Sequence, residues 1–104
     1  MAWVYLAIAG IFEVVWAAAM KQSEGFTRVG ASVVTIVAMV VSFALLSLSM
    51  KSLPLGTAYT VWTGIGAVGA FLVGIFAFGE SANATRIAAA VLIVAGLALM
   101  KWGA

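Results

Sequence analysis

Residues 3–20 read WVYLAIAGIFEVVWAAAM, an apolar segment with one acidic residue near its middle. Apart from Glu13, every residue in the segment is apolar or small. A carboxylate halfway along a membrane-spanning helix costs roughly 2.5–3.5 kcal/mol on insertion scales. Such a residue rarely persists without binding a proton, an ion or a cationic substrate. Glu13 is therefore the first candidate functional residue.

Three further apolar segments of similar length follow, at residues 29–50, 53–79 and 85–102. Each is close to the ~20 residues that cross ~30 Å of hydrocarbon as a helix. Only 8% of the chain is charged, whereas soluble domains carry about 25%. The sequence therefore predicts an all-α membrane protein, in which residues 1–104 form a single four-helix transmembrane domain.

The composition argues against several functional classes. The chain has no Cys and no His, which removes the usual metal ligands and the usual near-neutral base. No Gly-rich phosphate loop or nucleophile motif is present. We therefore expect no catalytic residues, no metal, no cofactor and no enzymatic activity. A net charge of +2 also gives no indication of nucleic-acid binding.

The first segment is unlike a signal peptide, although residues 17–19 are three small alanines. No Lys or Arg precedes it, and Glu13 interrupts what would be the apolar region of the signal. We interpret it as the first of the four helices.

The loop charges give a weak topology signal. With four helices, Lys51 and Lys101 lie on one side of the membrane, and Lys21, Arg28 and Arg86 lie on the other. Orientation follows an excess of Lys and Arg on the cytoplasmic side, and here the difference is one residue. Two outcomes remain open: a weak bias with a single orientation, or insertion in both orientations, which permits an antiparallel homodimer. Four short helices can hardly enclose a pathway alone, so we expect association.

Polar and aromatic side chains in three of the segments are candidates to face Glu13, because residues three or four positions apart share a helix face. The candidates are Gly10, Trp16, Ser42, Tyr59 and Trp62. Gly10 leaves space one turn before the carboxylate, and Trp16 supplies an aromatic wall one turn after it. The alternatives are ordinary packing for the aromatic residues, a bond from Ser42 to its own helix, and a permanently protonated structural carboxyl for Glu13.

The third segment is rich in glycine, with Gly64, Gly66 and Gly69 within six residues. Small residues allow helices to approach closely in lipid, and glycine also permits a bend. One interpretation is plain helix packing. The other is a flexible point that lets half of the helix tilt during alternating access.

These groups suit exchange of a cation for a proton. Burial disfavours the ionised form of a carboxyl, so a proton can occupy Glu13 near neutral pH and compete with a cation. Aromatic faces attract a desolvated cation by about 2 kcal/mol. A planar guanidinium can also donate two parallel N–H···O bonds to one carboxylate. A quaternary ammonium can donate none.

With these residues the chain resembles the small multidrug resistance family of bacterial proton-coupled exporters, over essentially its whole length. The resemblance rests on Glu13, on residues 21–28 (KQSEGFTR), and most specifically on residues 54–66 (PLGTAYTVWTGIG). Residues 10–16 (GIFEVVW) resemble the guanidinium-exporter branch, because the multidrug branch usually has a small residue in place of Trp16. One departure is Ser81, in the third loop, where the family often has Pro.

The resemblance implies a multi-pass protein of the bacterial plasma membrane, in which an antiparallel dimer holds one substrate site between two Glu13 side chains. It further implies that Trp16 and Ser42 orient the Glu13 carboxylates, that Tyr59 closes one side, and that Trp62 lines the aromatic wall. Gly10 gives the pocket room. Some members of the family work as paired heterodimers, which stays open here.

Together these features predict a proton-coupled antiporter that exports guanidinium or small guanidinyl cations by alternating access. The first alternative is efflux of quaternary ammonium or other lipophilic drugs, which Trp16 disfavours. The second is a non-transporting membrane subunit in which Glu13 pairs with a charge on a partner.

Overall fold

A computed structural model describes residues 1–103, and they fold into four helices. They are α1 (Ala2–Gln22), α2 (Val29–Ser49), α3 (Leu55–Phe78) and α4 (Ala84–Trp102). Their lengths of 21, 21, 24 and 19 residues correspond to roughly 28–36 Å at 1.5 Å per residue. Each is long and apolar enough to cross a membrane, so the expected all-α, four-helix membrane architecture is confirmed.

The ends of α3 and the start of α4 follow from local chemistry. α3 begins at Leu55, two residues later than the apolar segment, because Pro54 is its N-cap and disfavours helix in the residue before it. It ends at Phe78 and is capped by Gly79, whose φ of 67° is left-handed and suits a residue without a Cβ. At the start of α4, the side chain of Asn83 accepts a hydrogen bond from the Arg86 N–H at 2.9 Å.

The helices form a slab in which α1 packs against both α2 and α3, and α4 packs mainly against α3. Lys101 of α4 also reaches α1, with its Nζ 5.0 Å from the centroid of the Trp3 ring. The Cα positions extend over 40 × 34 × 16 Å. Packed helices lie 8–10 Å apart, so the thin dimension holds about two helix layers. Residues 1–103 therefore form a wide, thin array with α4 at one edge, and they do not surround a central channel.

The core lies where α1, α2 and α3 meet. Its buried members are Leu6, Ala9, Leu46, Ala58, Val61 and Trp62. α4 contributes no buried residue; Leu97 and Met100 are its partly buried contacts with this core. The site candidates therefore lie on the three helices that share a core.

Candidate functional site

Glu13 points from α1 toward α3, where it meets Gly66. A Cβ atom built on Gly66 would overlap the Glu13 carboxylate. Any side chain larger than hydrogen would therefore displace the carboxylate from this position. Gly66, singled out from the sequence as a packing or hinge residue, sets how closely Glu13 approaches α3.

Two other small residues keep α1 and α3 close together. A Cβ on Gly10 would run into the side chain of Ile65, and a Cβ on Gly69 would run into that of Val14. Gly64 faces the opposite way, against Leu97 of α4. Close approach through small residues is the usual basis of helix contact in lipid. The glycines of α3 thus serve two different interfaces.

Ser42 links three helices through two buried hydrogen bonds. Its hydroxyl donates to the Ala9 carbonyl of α1 at 2.7 Å and accepts from Trp62 Nε1 of α3 at 3.0 Å. Ser42 is completely buried and Trp62 nearly so. Both polar groups are therefore satisfied inside the chain, and the Trp62 ring is held in one orientation next to the core.

Four aromatic rings form a row beside these groups. Trp16 and Phe43 have centroids 6.5 Å apart, and Phe43 and Trp62 have centroids 5.7 Å apart, both in edge-on geometry. Trp62 and Tyr59 follow at 5.5 Å. The row crosses α1, α2 and α3 and ends at Tyr59, which is more than half exposed.

Phe43 is the member of this row that the sequence analysis missed. It is the only aromatic residue in α2 and it directly follows Ser42. Only its position next to Ser42 could have indicated from the sequence that Phe43 belongs to this row.

Two buried polar atoms near the middle of the slab lack partners within residues 1–103. They are Oε1 of Glu13 and Nε1 of Trp16. In this single chain neither Trp16 nor Ser42 donates to the Glu13 carboxylate; Ser42 bonds to Ala9 and Trp62 instead. A buried donor or acceptor without a partner costs roughly 1–3 kcal/mol. The site therefore offers an unused acceptor and an unused donor to a ligand or to a second chain.

Glu13 also differs from the two other acidic residues of the sequence. Glu24 pairs with Arg28 at 3.1 Å, and Glu80 lies 3.8 Å from Arg86. Both pairs lie in loops or at the first turn of a helix, and they are partly exposed. Glu13 makes no ion pair with any of the described residues, and no group of three or more potential metal ligands occurs among them.

Four membrane-length helices, with one unpaired carboxylate between α1 and α3 and a row of aromatic rings across α1, α2 and α3, define a multi-pass membrane protein. The family described as Small Multidrug Resistance protein matches residues 1–93. The chain belongs to this family, and it is a multi-pass protein of the bacterial inner membrane.

Individual relatives match the chain over nearly its whole length. It is 57% identical over 101 residues to a protein of Escherichia coli K12 named "Guanidinium exporter", covering 97% of this chain and 96% of the relative. A protein of the same name from Salmonella typhimurium LT2 is 55% identical over 104 residues, covering 100% and 99%. One from Citrobacter freundii is 55% identical over 101 residues. The resemblance predicted from the sequence is confirmed.

Proposed function

We propose that this protein is a proton-coupled antiporter that exports guanidinium and small guanidinyl cations across the inner membrane. The proposal rests on the Glu13 carboxylate, which lies in a membrane-spanning helix. Its Oε1 and the Nε1 of Trp16 are buried and have no hydrogen-bond partner within residues 1–103. A guanidinium can supply the missing hydrogen bonds in a bidentate pair. The relatives named as guanidinium exporters support this choice of substrate.

The transporting unit in this proposal is an antiparallel homodimer with one site between two Glu13 side chains. The slab is too thin to enclose a pathway, and α4 has no buried residue, so both the site and α4 are open to a second copy. The near-equal division of Lys and Arg between the two sides, two against three, permits insertion in both orientations.

The coupling arises because proton and substrate exclude each other at Glu13. Protonation of both carboxylates removes the charge that holds the guanidinium, and a bound guanidinium holds the carboxylates ionised. Alternating access then exchanges protons from one side for one guanidinium from the other. Gly66 and Gly69, where α1 and α3 touch most closely, are the positions at which α3 would move.

The aromatic and hydroxyl groups would orient the two carboxylates and select a planar ligand. Trp16 Nε1 is a buried donor without a partner in one chain, which suits donation to Glu13 across the dimer. In this proposal Ser42 orients the Trp62 ring, because its hydroxyl accepts the 3.0 Å hydrogen bond from Trp62 Nε1. Tyr59, at the exposed end of the row, would cover one side of the site. Gly10 would leave room for the ligand beside α1.

Reconstitution of the purified chain alone in liposomes tests the proposal. Guanidinium added outside should drive proton movement, whereas tetrapropylammonium, which has no N–H donor, should drive much less. Equal responses to both cations would favour drug export. No response to either would favour a subunit that needs a partner.

Trp16→Gly tests the choice of substrate. Removing the indole takes away the donor and the wall, so guanidinium transport should fall and the ratio of tetrapropylammonium to guanidinium transport should rise. Trp102→Gly, at an exposed site near the helix end, is the matched control and should leave the ratio unchanged. An unaltered ratio in Trp16→Gly would remove the basis for choosing guanidinium.

A further inference from the structure

A cavity of about 370 Å³ lies at one end of the slab, away from Glu13's aromatic row. It opens where α1 ends, α3 ends and α4 begins. Its charged lining residues are Lys21, Glu80 and Arg86, and its aromatic ones are Phe71 and Phe78. Because the ends of membrane helices lie at the headgroup level, this cavity is at the membrane surface.

Of the two cations of the cavity, Lys21 has no ion-pair partner within residues 1–103, and Arg86 has a loose one, Glu80 at 3.8 Å. Lys21 Nζ lies 5.7 Å from the centroid of Phe78. The Arg86 guanidinium lies 5.1 Å over Phe71 and donates from one nitrogen to the Ser81 carbonyl at 2.6 Å. The same nitrogen also donates to the Ser81 hydroxyl at 3.4 Å. Because an arginine has five N–H donors, some of those of Arg86 stay available.

Glu80, the acidic group in the lining, balances only one of these two charges. Glu80 packs against α3, where a Cβ on Gly74 would overlap its carboxylate, and its 3.8 Å separation from Arg86 is too long for a hydrogen bond. With Lys21 and Arg86 against Glu80, the lining carries a net single positive charge. The cavity therefore favours an anion and disfavours a transported cation.

An apolar groove continues from this cavity between α3 and α4. It has a volume of about 220 Å³ and shares Ala67, Phe71 and Arg86 with the cavity. The rest of its lining is Val68, Ala89, Ala90 and Ile93. A cationic mouth that leads into an apolar groove matches a molecule with an anionic head and a hydrocarbon tail.

We propose that this cavity and groove bind one anionic phospholipid per chain, with its phosphate between Lys21 and Arg86 and an acyl chain between α3 and α4. Basic pockets between membrane helices are known receptors for acidic lipid headgroups. The volume of 370 Å³ corresponds to roughly a dozen water-sized groups, enough for a glycerophosphate head. The acyl chain of the lipid would also fill the groove between α3 and α4.

Native mass spectrometry of the purified full-length protein, titrated with dioleoyl phosphatidylglycerol and with the matched phosphatidylcholine, tests the proposal. One phosphatidylglycerol per chain should bind at saturation, at least about fivefold more tightly than phosphatidylcholine, given ~1 kcal/mol per cation. Lys21→Gln and Arg86→Gln should each lose about fivefold. Equal binding of the two lipids would overturn the proposal.

Arg28→Gln is the matched control, because Arg28 lies on the same side of the membrane but pairs with Glu24 and does not line the cavity. Arg28→Gln should change phosphatidylglycerol binding by less than about twofold. A loss equal to that of Lys21→Gln would mean that the lipid is attracted by the general surface charge and not by this cavity. Arg86→Lys is a second control, because it keeps the positive charge even if loss of the arginine side chain perturbs the loop. It should bind phosphatidylglycerol more tightly than Arg86→Gln does. If the two variants bind the lipid equally weakly, the charge at position 86 does not hold the lipid.

A second pair of measurements separates a lipid from a free anion. Ala90→Phe fills the groove and leaves the cations in place, so it should weaken phosphatidylglycerol binding. Glycerol 3-phosphate alone should bind far more weakly than the lipid. If it binds as tightly, the site takes a soluble phosphate and the lipid assignment is wrong. None of these measurements depends on guanidinium transport.

Discussion

The contact between α1 and α3 and the outer surface of α4 are made of equally apolar sequence, yet they differ in construction. At the first, Gly66 and Gly69 each accept a side chain of α1 where no Cβ would fit. On α4, a Cβ on Gly96, which lines an open groove beside α3, would meet nothing within 4 Å, and no residue of α4 is buried. The first contact is closely packed within one chain, and the second surface is open.

This difference separates two roles. The polar groups that the proposed function uses, Glu13, Ser42 and Trp62, all lie within or beside the three-helix core. α4 carries no such group in its membrane span and offers surface to lipid or to a second copy. Substitutions at the α1–α3 contact should therefore change the site directly, whereas substitutions on α4 should act through packing or assembly.

Glu13→Gln should have the largest effect. The amide keeps the shape of the side chain but carries neither the charge nor the titrating proton. Guanidinium-driven proton movement in liposomes should therefore fall to background. Removing an ion pair of several kcal/mol corresponds to a loss of more than about a hundredfold. Insertion and dimer formation should persist. Glu24→Gln, which removes a carboxylate paired on the surface, should transport normally. Coupled transport by Glu13→Gln would contradict the proposed mechanism.

Gly66→Ala and Gly96→Ala test most directly the difference between the α1–α3 contact and the surface of α4. Both add one methyl group to a membrane helix, but only the first meets another group, the Glu13 carboxylate. Overpacking costs typically 1–3 kcal/mol, so guanidinium affinity, measured by tryptophan fluorescence, should fall roughly 5- to 150-fold in Gly66→Ala. Gly96→Ala should leave affinity unchanged.

If the two alanine variants lose affinity equally, the distinction between a closed and an open interface fails. A loss of dimer in Gly96→Ala, with binding restored at high protein concentration, would instead show that a second copy covers α4.

Ser42→Ala should have an intermediate effect, because it leaves the Ala9 carbonyl and Trp62 Nε1 without their partner. Hydrogen bonds between membrane helices average about 0.6 kcal/mol and reach about 1.7, which corresponds to roughly a 3- to 18-fold loss of guanidinium affinity. A double-mutant cycle with Trp62→Phe measures the coupling. Strictly additive losses would mean that Ser42 does not act through Trp62.

The membrane spans could be predicted from the sequence because they depend on local composition. Four apolar segments near 20 residues specify four helices, and an isolated Glu13 is conspicuous among them. Errors of one or two residues remained at helix ends such as Leu55, where Pro54 caps the helix outside the apolar limit.

What the sequence could not predict is how each helix is rotated against its neighbours. A helix that is apolar all round has no polar face to indicate which side is buried. The contact of Gly66 with Glu13, the bond from Ser42 to Ala9, and the place of Phe43 between two tryptophans all depend on that rotation. Only tertiary packing determines it.

Asn83→Ala should have the smallest effect on transport. α4 is the only one of the four helices with a side-chain N-cap hydrogen bond, and it lacks buried side chains to fix its start. Loss of a cap costs about 0.5–2 kcal/mol, so the melting temperature should fall. Guanidinium transport should stay within about twofold, since such an end effect lies far from Glu13.

Asn83→Ser is the control for this prediction, because serine supplies an acceptor of the same kind and should restore the melting temperature. If Asn83→Ala instead abolished transport while its melting temperature stayed unchanged, the start of α4 would take part in the transport cycle itself. The two regions would then be coupled, and α4 would no longer count as a surface that acts through packing alone.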